Sequence, residues 1–286
     1  MKLVNHRVEG IPFRAARHTG GVIVPELVIL HDTAGRLTKG NSAAYLRDND
    51  AQVSVHFVVE RDGSVEQQVP TNRRANHAGK SSYHGRSGCN DFAIGIEIVN
   101  PGKMTPVSGL PLRGLAWWGE TLKDGADGDL AAMATSEHGD GVWMAYTEPQ
   151  ISAIEALLAA LFKGIRTLHD IRTHWYVSPG RKVDTNPLFP LERMRSLILG
   201  RDDPAEIEAD EASVPLPKAT MAKIETRGAT LNMRRWPSFN PNVIASIPNG
   251  AMVPVLRCGV FDDRRWLCIQ FDGREGWIVE AYTSLC

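Results

Sequence analysis

Two hydrophobic periods alternate along the first 200 residues, and only one of them continues beyond. "LVIL" (27–30) is an unbroken apolar run of strand length that leads directly into His31. In "DFAIGIEIVN" (91–100) the period is two. Phe92, Ile94, Ile96 and Ile98 share one face, and Ala93, Gly95, Glu97 and Val99 share the other. "VSVHFVVERDGSVEQQVP" (53–70) is a pair of β-rich runs around "RDG", a hairpin signal. Helical spacing appears in "TEPQISAIEALLAALFKGI" (147–165), where Ile151, Ile154, Leu158 and Leu161 form an apolar stripe. Thr147 and Gln150 have capping-box spacing there, and Pro149 suits the first turn. "NSAAYLRDND" (41–50) reads as a short helix with Asn41 or Ser42 as N-cap. Strands alternating with helices predict a mixed β-sheet with packed helices, of the α/β or α+β class.

Beyond residue 220 the helical period is gone. Short β-rich runs, "TLNMR", "VIASIP", "MVPVLRC", "WLCIQF" and "GWIVEAY", are separated by turn signals, which predicts a small all-β barrel. The acidic, then proline-rich segment 199–220 has no apolar period and reads as a tether. The expected division is residues 1–200, a linker over 201–220, and residues 221–286. Within the first part, 101–146 is a long glycine-rich insert carrying Trp117, Trp118 and Trp143. Two readings stand for it: a functional loop or lid, or a surface excursion with its own apolar cluster.

Composition narrows the function classes. Of 286 residues 43% are apolar and 23% charged, enough for a real core, and the net charge of −1 argues against a nucleic-acid-binding tail. No apolar run approaches the ~18 residues that span a bilayer, so no membrane span is expected. The N-terminus lacks the apolar stretch of a signal peptide, so the expected place of synthesis and folding is cytoplasmic, with any action outside following release by another route. The four cysteines form no C-x-x-C pair, which removes a cysteine zinc site. Cys258 and Cys268 stand where a hairpin could join them, although a reducing compartment disfavours a disulfide.

The candidate chemistry lies in His31, His174 and Asp184. A catalytic zinc takes three protein ligands from His and Asp/Glu and keeps one position open. Both histidines follow strand-like runs, and Asp184 follows a Pro-Gly turn that can return the chain to the same cleft. Lys182 projects to the same side as Asp184 in an extended chain. Glu97 stands among small residues on its strand face. Taken alone, each histidine is more often structural, and Glu97 more often faces solvent. Together they suit metal-assisted hydrolysis, with Glu97 moving a proton and Lys182 facing a developing oxyanion.

The motifs "LVILHDTAG", "VSVHFVVERDGSVEQQVP", "NHAGKSSYHG", "FAIGIEIVN" and "THWYVSPGRKVDTNPLFP" occur in this order over residues 25–195. They resemble the type 2 N-acetylmuramoyl-L-alanine amidases, a family that includes AmpD-like recycling amidases, phage endolysins and peptidoglycan-recognition proteins. The resemblance implies an α/β catalytic domain, a mixed β-sheet flanked by helices. It also implies one Zn2+ on His31, His174 and Asp184, Glu97 as base and Lys182 as transition-state stabiliser. His77 matches a position that lines the substrate cleft; His56 matches a hairpin histidine outside the metal set. The implied partner is peptidoglycan or its muropeptides, cut between the lactyl group and L-alanine. Two alternatives remain: a recycling amidase specific for 1,6-anhydro-muropeptides, and a non-catalytic recognition protein. The departures are the insert 101–146 and "DTNP" where "DPG" is common. The C-terminal part resembles bacterial SH3-like domains, which implies wall binding, with Arg234, Arg235, Trp236 and Trp277 as contact candidates, or else a spacer.

Overall fold

The computed structural model describes residues 1–200, 213–216, 220–234, 237, 243–261 and 264–285. It divides into two compact units, Met1–Leu191 and Glu192–Cys286.

The first unit is built on a five-stranded sheet. Its strands are β1 (Leu27–Asp32), β2 (Phe57–Val59), β3 (Val65–Gln67) and β4 (Ala93–Ile98), joined by a last strand, Asp170–Thr173. In spatial order the last strand lies beside β1, then come β4, β2 and β3. All neighbours are parallel except the β2–β3 hairpin, so the sheet is mixed as expected. Leu27, Val28, Ile29 and Leu30 are all fully buried. A parallel strand covered on both faces must be apolar throughout, which is why "LVIL" shows no alternation. The register sets His31 opposite Glu97 and Thr173 opposite Leu30. The carboxyl ends of three strands therefore meet at one edge, where open parallel sheets place their sites.

Two helices bear on this frame. The shorter, α1 (Asn41–Arg47), departs from expectation at its start. Its cap is Gly40, in the left-handed region at φ 80°, and not Asn41 or Ser42. Glycine enters that region without a Cβ clash, and its N–H donates to Glu60 Oε1 at 3.0 Å. The longer, α2 (Glu148–Gly164), has the expected capping box, with Thr147 accepting from the Gln150 N–H. Ile151, Ile154, Leu158 and Leu161 are buried along its stripe, and Leu157 joins them.

The insert has its own architecture. Strands β5 (Thr105–Val107), β6 (Arg113–Leu115) and β7 (Thr121–Lys123) form an antiparallel meander. A hairpin of β8 (Leu130–Thr135) and β9 (Gly139–Met144) follows. Met104, Ala116, Leu122, Val142 and Met144 pack into a separate cluster, the local core that one reading of the insert anticipated. The last strand of the main sheet, Asp170–Thr173, is β10, and α3 (His174–Val177) continues directly from it.

The second unit begins within a helix, Leu191–Leu199, and its described residues from Val214 on form strands and one short 3-10 turn, Glu280–Tyr282. An antiparallel sheet carries the expected runs as Leu231–Arg234, Val243–Ile247, Met252–Phe261, Arg264–Phe271 and Arg274–Val279. Its core includes Ile224, Met233, Val253, Leu267, Ile269 and Ile278. Trp277 is 3% exposed and packs with Trp266 and Cys268, so it is a core residue and not a surface contact. Arg235 and Trp236 lie outside the described residues, as does most of the 201–220 segment. Cys258 and Cys268 are not joined by a disulfide. Cys258 pairs with Leu267 and Cys268 with Arg257, so the two sulfurs point to opposite faces of the hairpin. Among the described residues no helix is long and apolar enough to cross a membrane.

Candidate metal centre

His31 is the penultimate residue of the wholly buried β1, His174 begins α3 where β10 stops, and Asp184 lies on the loop beyond the Pro179–Gly180 turn. The fold brings the three together. His31 Nδ1 and His174 Nδ1 are 2.9 Å apart, His174 Nδ1 and Asp184 Oδ2 2.9 Å, and His31 Nδ1 and Asp184 Oδ2 3.4 Å. Ligand atoms of a tetrahedral zinc, at about 2.0–2.1 Å from the metal, lie roughly 3.3 Å from one another. The triangle has that size.

Backbone carbonyls decide which ring nitrogens carry protons. His174 Nε2 lies 3.1 Å from the Ala78 carbonyl, which only accepts; Arg181 Nη2, 3.2 Å away, gives its two hydrogens to that carbonyl and to Ser178 Oγ, each at 2.7 Å, so Nε2 donates and Nδ1 keeps its lone pair. His77 Nε2 faces the Ala93 carbonyl at 3.4 Å, which leaves His77 Nδ1 as an acceptor. That acceptor is 2.9 Å from His31 Nε2. His31 therefore donates to His77 and turns its own Nδ1 lone pair toward His174 and Asp184. Burial, and then the neighbouring His174, push His31 down to about 4, so the ring is neutral at pH 7. Two imidazole lone pairs and a carboxylate thus converge, and no hydrogen bond can relieve them. A cation does so, and zinc matches the donor set of two nitrogens and one carboxylate oxygen. A proton competes for the same lone pairs, so metal affinity falls as the pH is lowered.

The neighbouring histidines sort by the same logic. His56 donates to the Arg73 carbonyl at 2.8 Å and accepts from the Gly95 N–H at 3.0 Å, so both its nitrogens are occupied away from the triangle. His77 does more than line a cleft, because it holds His31 in its tautomer. Its ring occupies the space that Gly95 leaves open. A Cβ at 95 would stand 2.5 Å from His77 Cγ. Gly95, two residues before Glu97, therefore accommodates a histidine ring.

Glu97 lies beside His31 in the ladder, and its Oε2 is buried with no hydrogen-bond partner among the described residues. A buried carboxylate oxygen without a donor is costly, and a water on the triangle's open side would satisfy it. Burial, followed by the charges of Asp184 and Asp32, pushes the Glu97 carboxyl well above the usual carboxylate range, while Lys182 works against this. The Lys182 charge also lowers His31, so the ammonium acts on both groups. The Lys182 backbone N–H donates to the Ser178 carbonyl at 3.1 Å, closing the turn that carries Asp184.

Sequence reading passed over Asp32, His138, Tyr146 and Asn186. All four are polar groups close behind the triangle. Asp32 receives the Tyr146 hydroxyl on Oδ1 and the Asn186 N–H on Oδ2 at 2.8 Å. Its place directly after His31 was a usable signal. The insert residues had none, because nothing local in 101–146 shows that the chain returns to the 184–186 loop.

Comparison with known proteins identifies a family. The family profile described as N-acetylmuramoyl-L-alanine amidase matches residues 22–187, more than half of the chain. The 1,6-anhydro-N-acetylmuramyl-L-alanine amidase AmpD of Citrobacter freundii is 32% identical over 148 residues, which cover 51% of this chain and 58% of that protein. The N-acetylmuramoyl-L-alanine amidase CwlA of Bacillus subtilis (strain 168) is 38% identical over 74 residues, 26% of this chain and 25% of that protein. The chain thus spans less than two thirds of the length of these curated relatives. A solved selenomethionine derivative of AmpD aligns at 24% identity and a TM-score of 0.48, covering 69% of this chain and 99% of that one. The profile match contains His31, Glu97, His174, Lys182 and Asp184, and the chain belongs to the N-acetylmuramoyl-L-alanine amidase family.

Proposed function

We propose that the chain is a zinc-dependent N-acetylmuramoyl-L-alanine amidase. It hydrolyses the amide between the lactyl group of N-acetylmuramic acid and L-alanine of the peptidoglycan stem peptide. The observation that carries the metal is the convergence of two imidazole lone pairs and one carboxylate within 3.4 Å. When bound, zinc supplies Lewis acidity and lowers the pKa of its water to about 7. His31, His174 and Asp184 would hold it. Glu97 takes a proton from the attacking water as oxygen adds to the lactyl carbonyl carbon. It then passes the proton to the alanine nitrogen as the carbon–nitrogen bond breaks. The Lys182 ammonium faces the oxyanion formed in between. A non-catalytic recognition role would be favoured by a missing ligand, and all five residues are present.

One observation supports a second reading of substrate choice. The AmpD relatives are named for 1,6-anhydro-muropeptides. Digestion of intact sacculi and of anhydro-muropeptides, with mass analysis, separates the two. Free stem peptides with a new L-alanine N-terminus, beside intact glycan strands, are the expected products from sacculi. Release from anhydro-muropeptides alone would select the recycling reading, and new reducing sugar ends would overturn both.

The division into a catalytic domain (1–200), a linker (201–220) and an SH3-like module (221–286) is part of the same proposal. A groove of about 830 Å3 in the second unit, lined by Lys223, Arg227, Asn232, Asn249 and Tyr282, supports a role in binding polar wall polymer. A tethered, weakly binding module raises the local concentration of catalyst on its polymer. A chain ending near residue 205 is therefore expected to keep its rate on soluble muropeptides and to lose activity on insoluble sacculi. Equal slowing on both substrates would mean that the module supports the catalytic domain instead.

A further inference from the structure

We propose that the insert 101–146 is a clamp on the metal-ligand loop, with Tyr146 and His138 as its positioning residues. This rests on the reading that His31, His174 and Asp184 hold zinc. Asp184 is the ligand that does not stand at the end of a strand, so something must fix its loop. The two residues after it, Thr185 and Asn186, are 1% and 2% exposed, and their polar groups lead back to the insert.

The Thr185 carbonyl accepts from His138 Nε2 at 3.0 Å. His138 Nδ1 in turn accepts from the Thr135 hydroxyl at 2.7 Å, and Trp143 and Trp175 meet the ring edge-on at 5.7 and 5.6 Å. The imidazole is thus fixed at both nitrogens and packed against two indoles. Asn186 is held twice more. Its side-chain amide donates to the Met144 carbonyl at 3.0 Å, and its N–H lies 3.2 Å from the Tyr146 oxygen. The Tyr146 hydroxyl donates to Asp32, the residue after His31, and Asp32 also receives the Asn186 N–H. One carboxylate therefore joins the strand that carries His31 to the loop that carries Asp184, and Tyr146 closes the link from the insert side. The catalytic frame adds the Trp175 N–H on the Asp184 carbonyl at 2.8 Å. Second-layer partners of this kind fix a ligand before the metal arrives, and their loss lowers metal affinity.

The deciding experiment uses the full chain stripped of metal. Zinc affinity is measured by competition with a chelating indicator, and folding of the apoprotein by circular dichroism and thermal melting. Tyr146→Phe removes the hydroxyl and keeps the ring against Phe189, 5.1 Å away. It is expected to weaken zinc binding by roughly 10–100-fold in an apoprotein that melts as the parent does. His138→Ala is expected to do the same, and His138→Gln, which keeps a donor, to recover part of the loss. If His138→Ala fails to fold, Tyr146→Phe decides alone. Parental zinc affinity in the folded Tyr146→Phe protein would overturn the clamp, as would a loss of affinity matched by an equal loss of folded apoprotein. If the parent protein itself binds no zinc, the metal reading fails, and the two failures remain distinct.

Discussion

Replacing His174 by alanine is expected to remove zinc and turnover together. The substitution deletes one of the three converging acceptors. His31 Nδ1 and Asp184 Oδ2, 3.4 Å apart, are left as a pair that binds a divalent ion far less well than three ligands do. It also takes one of two N–H donors from the buried Ala78 carbonyl, which keeps Arg181 Nη2 at 2.7 Å. Chelation of the parent protein should reach the same inactive state, and added zinc should restore the parent and not the variant. Metal content by atomic emission and the release of free stem peptide are the two measurements. Full activity in a protein shown to contain no metal would refute the site.

Glu97→Gln is expected to separate chemistry from metal binding. Glutamine matches glutamate in size and cannot take a proton, so the rate should fall by roughly 10²–10⁴, the range for general acid–base work. Zinc content should not change, because Glu97 stands on β4 outside the acceptor triangle. Its unpartnered Oε2 becomes one end of an amide, which limits the structural cost. If zinc leaves with this substitution, a ligand has been misassigned.

The parts of this site that sequence could show are those written in local patterns. An unbroken apolar run reads as a doubly covered strand because burial on both faces forbids alternation, and "LVIL" shows this before His31. The capping box at Thr147 is legible because both of its partners lie within four residues. The candidate metal set was legible because zinc ligands come from a few residue types: His31 and His174 sit where strands end, and Asp184 follows a Pro-Gly turn. What stayed hidden depends on contacts between distant residues. Gly40 caps α1 because its N–H finds Glu60, twenty residues on. Trp277 is indistinguishable in sequence from an exposed aromatic until the sheet encloses it. The tautomers of His31 and His174 are set by the carbonyl of Ala78 and, through His77, that of Ala93, and a carbonyl leaves no mark on a sequence. The link from insert to Asp184 is hidden for the same reason.

Parallel pairing of β1 with β4 makes the backbone separation between Glu97 and His31 a quantised quantity. His31 and Glu97 are facing rungs of one ladder, so the spacing of their backbones is that between adjacent strands, ~4.7–4.9 Å. Side-chain substitutions and loop exchange leave that value alone. The next available setting requires a slip of one residue, which turns every side chain of the strand to the opposite face and carries Ile96 or Ile98 into the cleft. Mutational drift therefore has no gradual path for retuning this distance. Variation in activity among descendants of this chain should accumulate in the loops around the ladder, with the rung itself inherited whole or lost.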